Sequence, residues 1–432
     1  MGPLPRIRGM ILPGSLTGER LDRRRRCGFR RETSTRAVRG YLLANSDRTK
    51  HNAYLSGTAL IDVRGGTVTG SIYGGGKGIA EAGYEECARV TSGSDVQVKV
   101  SGGTVQGNVY GGGQQGLVEG ATCVNIEGGT VNGSVYGGAL GTSGAVLVLG
   151  GSTVNMTGGW VRGNVYGGSE LSDDGAALAE GASMPDLIVA NLVGGTVSGN
   201  VFGGGYLGKV NGSTHMHIGM GAMGACAYYA AHPDEIPSLT ASALSIGGSV
   251  YAGGDFGGDG TDYNTITVEG TSHVYVDGTG YDTGAGAGDV GMTVSGGVFG
   301  SGASCDAGNT RLVTLRNYGA VVAGDDGTAT GTTRTLAAIQ RADRVLLLNS
   351  HVRLTGQSDA ANTDQTTLYS LNRIGDHGVV DGLGALSNGL VLQGGSTLVL
   401  ESPAMELAAF RSLDAAGDEV GLAAVAGCTN TL

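Results

Sequence analysis

The chain has 432 residues, of which 85 are Gly and 7 are Pro, and 40% of its residues are hydrophobic. This composition excludes collagen and proline-rich linkers, and it is too apolar for a fully disordered chain. No apolar run approaches the roughly 18 residues of a membrane span, and a net charge of −11 argues against a nucleic-acid-binding protein.

The N-terminal segment has a charge opposite to that of the rest of the chain. Residues 1–50 hold 13 of the 27 Lys and Arg residues but only 4 of the 38 Asp and Glu residues. Because no nucleic-acid-binding motif surrounds the arginines and the acidic body of the chain would repel phosphate, we predict a basic, disordered leader rather than a nucleic-acid-binding arm. No apolar signal-peptide segment follows the arginines, and no anchor is visible, so a surface protein with these ends is expected to be truncated.

Residues 51–305 are predicted to be glycine-rich repeats, because one phrase recurs along them. Two shortened copies, GGSVYAGG and GGVFGSG, begin at Gly247 and Gly296. The full copies are GGTVTGSIYGGG from Gly65, GGTVQGNVYGGG from Gly102, GGTVNGSVYGG from Gly128, GGWVRGNVYGG from Gly158 and GGTVSGNVFGGG from Gly194. The phrase is constant while the connections vary in length, which predicts loops along one edge of a stack.

Each copy contains two strand patterns separated by a corner. The first pattern lies before the phrase, where apolar residues stand four and two places ahead of its first Gly, as Ile61 and Val63 do. The second lies inside the phrase and contains β-branched residues such as Val68 and Ile72. Period-two alternation predicts strands, and Gly-Ser or Gly-Asn predicts the corner between them. The sequence therefore predicts an all-β protein, a right-handed parallel β-helix (β-solenoid) with variable loops between coils and with Val135 facing its interior.

Stacked copies are expected to place equivalent residues in rows. A polar row is predicted for Ser71, Asn108, Ser134, Asn164, Asn200 and Ser249. An aromatic row is predicted for Tyr73, Tyr110, Tyr136, Tyr166, Phe202, Tyr251 and Phe299. The aromatic row has two interpretations, a stabilising ring stack or an exposed platform that binds sugars or a partner.

The C-terminal third lacks an intact copy of the phrase. Residues 306–405 retain strand-like runs such as RLVTLRNYG and are predicted to continue the β-helix with longer loops. Residues 406–432 are predicted to be a cap or tail in which a short helix closes the hydrophobic end of the stack.

The repeated phrase, together with LAAIQRADRVLLLNSHVRLTG, YSLNRIG and GLVLQGGSTLVLES, resembles large, repeat-rich, adhesin-like surface proteins of gut bacteria that have pectate-lyase-type β-helices. The resemblance covers roughly residues 55–405. It implies an extracellular or cell-surface location, and it supplies no catalytic residues.

One acidic turn is a candidate calcium site. The segment GGDGTDYNT from Gly257 partly matches a calcium-binding β-roll repeat but occurs once. Asp255, Asp259 and Asp262 can form an irregular oxygen site for calcium, or they form a solvated turn. We expect no other cofactor.

Other chemistry-bearing residues give weaker patterns. His215 and His217 alternate on one strand face upstream of Cys226 and His232, in a spacing untypical of zinc. The adjacent Asp173 and Asp174 are unsuited to joint catalysis, because neighbouring strand residues point to opposite faces. The six Cys residues show no CxxC spacing, and both disulfides and solitary thiols stay open.

These patterns predict a non-catalytic surface protein, adhesive or structural, whose loops bind glycans or proteins of a host or bacterial surface. Recognition is expected in the inserts 77–95, 169–187 and 206–245, because loops on a rigid scaffold are common binding sites. The alternative is a polysaccharide lyase or glycoside hydrolase on the same scaffold. No nucleic-acid partner or membrane span is expected, and the oligomeric state stays open.

Overall fold

The computed structural model describes residues 53–78, 88–179, 181–219, 242–256, 266–281, 291–303, 310–319, 334–348 and 350–354, and short strands outside these ranges. Throughout this part of the chain the regular elements are strands, and most of them pair in parallel. The predicted all-β class is confirmed. None of the described residues belongs to a helix with the length and hydrophobicity to cross a membrane.

One long sheet runs through the molecule. Three strands beside its main path are Thr130–Val131, Leu244–Ile246 and Met292–Val294. Along the path the strands are Arg25–Phe29, Ala59–Val68, Val96–Val105, Thr122–Ile126, Ser152–Val161, Asp186–Val197, Ser213–Gly219, Ser272–Asp277, Arg311–Arg316, Arg344–Leu348 and Gly389–Gln393.

A second sheet consists of nine two-residue strands, seven of which lie in the copies of the repeated phrase. They are Val38–Arg39, Ile72–Tyr73, Val109–Tyr110, Val135–Tyr136, Val165–Tyr166, Val201–Phe202, Val250–Tyr251, Val298–Phe299 and Ile339–Gln340. Their order in the sheet is their order in the chain, so each copy pairs with the next one.

A third side of the molecule is built from shorter pieces. Isolated parallel bridges such as Val90 with Val118 and Asp174 with Val210 join them. The parallel strands are Leu21–Asp22, Ala53–Ser56 and Ala88–Val90, then Val146–Val148 with Asp173–Asp174, then Ile266–Val268 with Asp306–Ala307. Two further sheets are distinct from this side. Arg334–Leu336, His351–Leu354 and Thr397–Leu400 form a parallel sheet, and Val321–Ala323 pairs antiparallel with Ala329–Gly331.

The chain visits these sides in a fixed order. From Ala59–Val68 in the long sheet it passes to Ile72–Tyr73 in the second sheet, to Ala88–Val90 on the third side, and back to Val96–Val105. The register sets Val68 opposite Val105 and likewise aligns the following copies. Equivalent positions of the phrase therefore form rows across the molecule.

The main core lies between the sheets and consists of such rows. Val135 is fully buried there and stands between Val109 and Val165 in register. The predicted interior position of Val135 is confirmed.

Glycine permits the close approach of the copies at the corners. A Cβ atom on Gly137 would lie 2.1 Å from the carbonyl oxygen of Gly167 in the next copy. Gly129 adopts φ +74°, a backbone conformation that other residues reach only with strain. Glycine is therefore required at Gly137 by the close approach of the next copy and at Gly129 by the backbone conformation.

Only parts of the predicted terminal segments belong to the described residues. From the segment 1–50, Arg25–Phe29 pairs with Ala59–Val68, and Leu21–Asp22 and Val38–Arg39 join the other two sides. In the tail 406–432, Ser412–Leu413 pairs antiparallel with Glu419–Val420, where a short helix was predicted. The remaining residues of both segments lie outside the described part.

Candidate functional site

The seven aromatic side chains of the repeated phrase lie one above another along the second sheet. Neighbouring ring centroids are 4.9, 4.9, 4.7, 4.7, 5.0 and 4.6 Å apart from Tyr73 to Phe299, and neighbouring ring planes deviate by no more than 13°. The single row predicted from the alignment of the copies is present. Its spacing is that of the parallel strands that hold the rings.

Six of the seven rings are buried, and Tyr251 is partly buried. Tyr136 is 5% exposed and Phe202 is 1% exposed. Leu140 and Tyr206, each four residues after a ring of the row, pack against the stack. The geometry therefore favours the stabilising stack over the exposed platform, because little ring surface is left for a ligand.

Polar groups satisfy the tyrosine hydroxyls at the edge of the row. The amide Nδ2 of Asn108 donates to the hydroxyl of Tyr110 over 2.8 Å, and the Tyr110 hydroxyl donates to Glu170. Asn164 Nδ2 donates to the Tyr166 hydroxyl over 2.9 Å. Burial raises the pKa of Tyr110 and Tyr166, so these phenols stay protonated at neutral pH.

The predicted polar row forms a continuous chain of hydrogen bonds across the copies. The side-chain oxygen of each member accepts the backbone N–H of the equivalent residue in the next copy, beginning with Ser71 and Asn108 at 3.0 Å. The following links measure 2.8 Å to Ser134, 3.1 Å to Asn164, 2.8 Å to Asn200, 2.8 Å to Ser249 and 3.1 Å to Gly297. Ser or Asn is thus required at this corner because it satisfies a backbone donor.

The candidate calcium site is only partly within the described residues. Asp255 is the one member that is described, and its Oδ2 lies 3.4 Å from the hydroxyl of Tyr166. Asp259 and Asp262 lie outside the described part. Across the residues that are described, no cluster of three or more His, Cys, Asp or Glu side chains is arranged to hold a metal ion.

The adjacent carboxylates at 173 and 174 have different environments. Asp174 is fully buried, and its carboxylate accepts from the Ser169 backbone N–H at 2.8 Å and the Ser169 hydroxyl at 2.6 Å. Burial raises the pKa of Asp174 from 3.8 to about 7. Asp173 accepts from the backbone N–H of Lys209 at 2.8 Å. Both carboxylates therefore bind elements of the fold.

The predicted His pair lies on the outward face of the long sheet. His215 Nε2 is 2.7 Å from Asp186 Oδ1, and the register places His215 beside His273 and His217 beside Tyr275. Burial lowers the pKa of His217 to about 4 and that of His273 to about 3, which keeps both imidazoles neutral. Cys226 and His232 lie outside the described residues.

A row of Asn side chains lies on the same face of the long sheet, in the copies before His217. This row was not predicted from the sequence. Asn155 Nδ2 donates to Asn125 Oδ1 at 2.8 Å, and Asn191 Nδ2 donates to Asn155 Oδ1 at 2.9 Å. The buried thiol of Cys123 lies 3.6 Å from the Asn155 amide nitrogen. Each of the three Asn residues stands three places before the Gly-Gly pair of its copy, and this alignment was the available signal.

Trp160 is the second feature that the sequence reasoning missed. It is the only Trp of the chain, it stands where four of the five full copies have Thr, and it is 41% exposed. The guanidinium carbon of Arg162 lies 4.4 Å from its ring centroid. The departure of GGWVRG from the repeated phrase was the signal that could have identified it.

Comparison with protein-family models, curated proteins and solved structures found no match to this chain.

Proposed function

We propose that the protein is a right-handed parallel β-helix with a non-catalytic, adhesive or structural role at a bacterial surface. One observation supports it above the others: the repeated residues of the phrase contact their own equivalents in neighbouring copies. Val135 packs between valines, Tyr136 stacks between tyrosines, and Asn164 binds the backbone of the next copy. Such a sequence is selected to build a long stack. The resemblance to adhesin-like proteins supports the location.

The stack leaves the connections between copies to vary, and we place recognition of proteins or glycans on them. The insert 169–187 is the best described example. Its residues 176–179 and 181–186 are exposed, and they include Leu178 at 39% and Met184 at 37% exposure. Apolar side chains on an exposed loop are suited to contact a partner surface.

The alternative of a polysaccharide lyase or glycoside hydrolase requires carboxylates that reach a substrate. Asp174 is buried beneath Ser169, and the Asp173 carboxylate binds the backbone of Lys209. Their engagement within the fold favours the non-catalytic role.

Incubation with acidic polysaccharides, with and without calcium, tests the proposal. We expect binding without unsaturated products or new reducing ends. Calcium near Asp255, Asp259 and Asp262 is proposed to stiffen a loop, so it should change binding and leave product formation at zero. Turnover that disappears in Asp173→Asn would contradict the non-catalytic role.

A paired loop variant tests where partners bind. Replacing Leu178 and Met184 by Ser should weaken binding of a protein partner, whereas Ala179→Ser in the same exposed loop should not. Equal binding by both variants would place recognition away from this insert.

A further inference from the structure

A ribbon of exposed and half-exposed polar residues runs along the outer face of the repeated phrase. Its two rows stand at the third and fifth positions of each full copy and at the residues in register with them beside the shortened copies, on either side of a buried Val or Ile. The first row contains Thr67, Thr104, Thr130, Trp160, Thr196, Ser245 and Thr293. The second contains Thr69, Gln106, Asn132, Arg162, Ser198, Gly247 and Ser295.

Trp160 and Arg162 are the only aromatic and the only charged side chains among these two rows. All other members are hydroxyl or amide side chains or Gly. Both departures fall in one copy, the fourth of seven, so they lie side by side near the middle of the ribbon. A coil that merely continued the stack would be expected to have Thr and a small polar residue there.

The indole of Trp160 is held in a fixed orientation. Its Nε1 donates to the hydroxyl of Ser198 in the next copy at 2.8 Å, and Arg162 lies against its ring. The side chain nevertheless remains 41% exposed. A ring that is already immobilised loses little conformational entropy when a ligand packs against it.

Arg162 supplies a positive charge that the fold does not neutralise. Arg64, Arg89 and Lys99 each form an ion pair with a carboxylate. The guanidinium of Arg162 is exposed and forms no ion pair within the described part of the chain. A free guanidinium beside an exposed indole is complementary to a ligand that combines an apolar face with a carboxylate.

We propose that Trp160 and Arg162 bind an acidic sugar residue of a linear polysaccharide that lies along the ribbon. The C–H face of the sugar packs on the indole, its carboxylate pairs with Arg162, and the flanking hydroxyls and amides hydrogen-bond neighbouring sugars. One sugar residue is close in length to the ~4.8 Å spacing of parallel strands, so successive sugars meet successive copies. This inference rests on the proposed glycan-binding role and places one glycan site on the strand face.

The single Trp makes the site observable without a label. Polygalacturonate should change the fluorescence emission of Trp160 in a saturable manner, whereas carboxyl-reduced polygalacturonan should do so only at higher concentrations. Because no other Trp contributes, the signal reports contact at this position. Failure of polygalacturonate to change the emission would overturn the inference.

Two substitutions separate the roles of the pair and are compatible with folding, because they restore residues of other copies. In affinity electrophoresis, Trp160→Thr should weaken binding of polygalacturonate about tenfold. Arg162→Gln should remove the preference for the acidic polymer over the carboxyl-reduced one. Lys209→Gln, which removes an exposed cation on the third side, should bind like the parent.

The outcomes distinguish this inference from the function on which it rests. If Trp160→Thr binds polygalacturonate as tightly as the parent, the site lies elsewhere and the general glycan-binding role stands. If the parent releases unsaturated products from polygalacturonate, the non-catalytic role itself is wrong.

Discussion

Two rows of side chains pass through the same copies of the repeat, and they differ in how strictly their residues recur. The row on the second sheet is aromatic at every step from Tyr73 to Phe299. The outward row of the long sheet contains five residue types at seven positions, which are Asp62, Lys99, Asn125, Asn155, Asn191, His217 and Tyr275.

The difference follows from what each side chain contacts. A ring in the aromatic row has another ring as its neighbour on both sides, so a change at one copy removes two stacking contacts. In the outward row only Asn125, Asn155 and Asn191 bind one another, and only there does one residue type recur. Residue identity is therefore repeated where equivalent residues are partners.

The largest effect is expected from a charge placed in the innermost row. Val135→Asp should lower the free energy of unfolding by roughly 3–5 kcal/mol, because the carboxylate would be buried without a partner. Thr196→Asp on the exposed ribbon is the matched control and should change stability by less than about 0.5 kcal/mol. Equal denaturant midpoints for Val135→Asp and the parent would show that Val135 does not face the core.

Asp174 has no equivalent carboxylate beside it in the stack, because its neighbours in register are Val148 and Val210. Its pKa is raised from 3.8 to about 7, so folding favours the protonated form, and stability should fall as the pH rises from about 4 to about 7. The loss should amount to a few kcal/mol.

Asp174→Asn mimics the protonated acid and should remove most of this pH dependence in denaturant titrations at pH 5 and pH 8. Asp173→Asn should retain it, since that carboxylate is not fully buried. A parent midpoint that is independent of pH, or unaffected by Asp174→Asn, would contradict the buried position of Asp174.

A glycine substitution tests how closely the copies approach one another. In Gly137→Ala the added Cβ would lie 2.1 Å from the backbone oxygen of Gly167, which should cost roughly 1–3 kcal/mol. Gly65→Ala meets nothing within 4 Å and should be nearly neutral. Thermal denaturation of the two variants compares a glycine that is in close contact with the next copy with one that is not. Equal midpoints would argue against the close approach of Gly137 to Gly167.

The smallest predicted difference compares the aromatic and outward rows directly. Tyr136→Leu should cost about 1–3 kcal/mol, because two ring contacts are lost. Lys99→Ala in the outward row removes a partly exposed ion pair with Glu127 and should cost at most about 1 kcal/mol. A larger loss of stability in Lys99→Ala than in Tyr136→Leu would reverse the comparison.

The sequence predicted those parts of the structure that depend on the recurring phrase. A phrase of fixed length fixes the register, so the neighbours of Tyr110 and the burial of Val135 followed from alignment of the copies. Features that depend on residues outside the phrase were missed. The aromatic rings are covered by side chains such as Leu140 and Tyr206, and these side chains differ between copies. Asp174 lies in an insert between copies, so alignment of the phrase does not predict that it pairs with Val210 and becomes buried.

Trp160 was missed for the opposite reason. It lies inside the phrase, and a search for similarity between copies treats a single departure as variation. Its exposure and its contact with Arg162 became visible only once the register had placed it on the ribbon.

The central claim is that successive copies stack in one register, and a distance measured along the exposed ribbon tests it most directly. Spin labels attached through non-natural keto amino acids at positions 67 and 196 avoid the natural Cys residues and occupy exposed sites four copies apart. Electron–electron double resonance should give a narrow distribution centred near 19 Å, four times the ~4.8 Å strand spacing. A broad distribution, or a mean distance far from this value, would contradict the stacking of the copies.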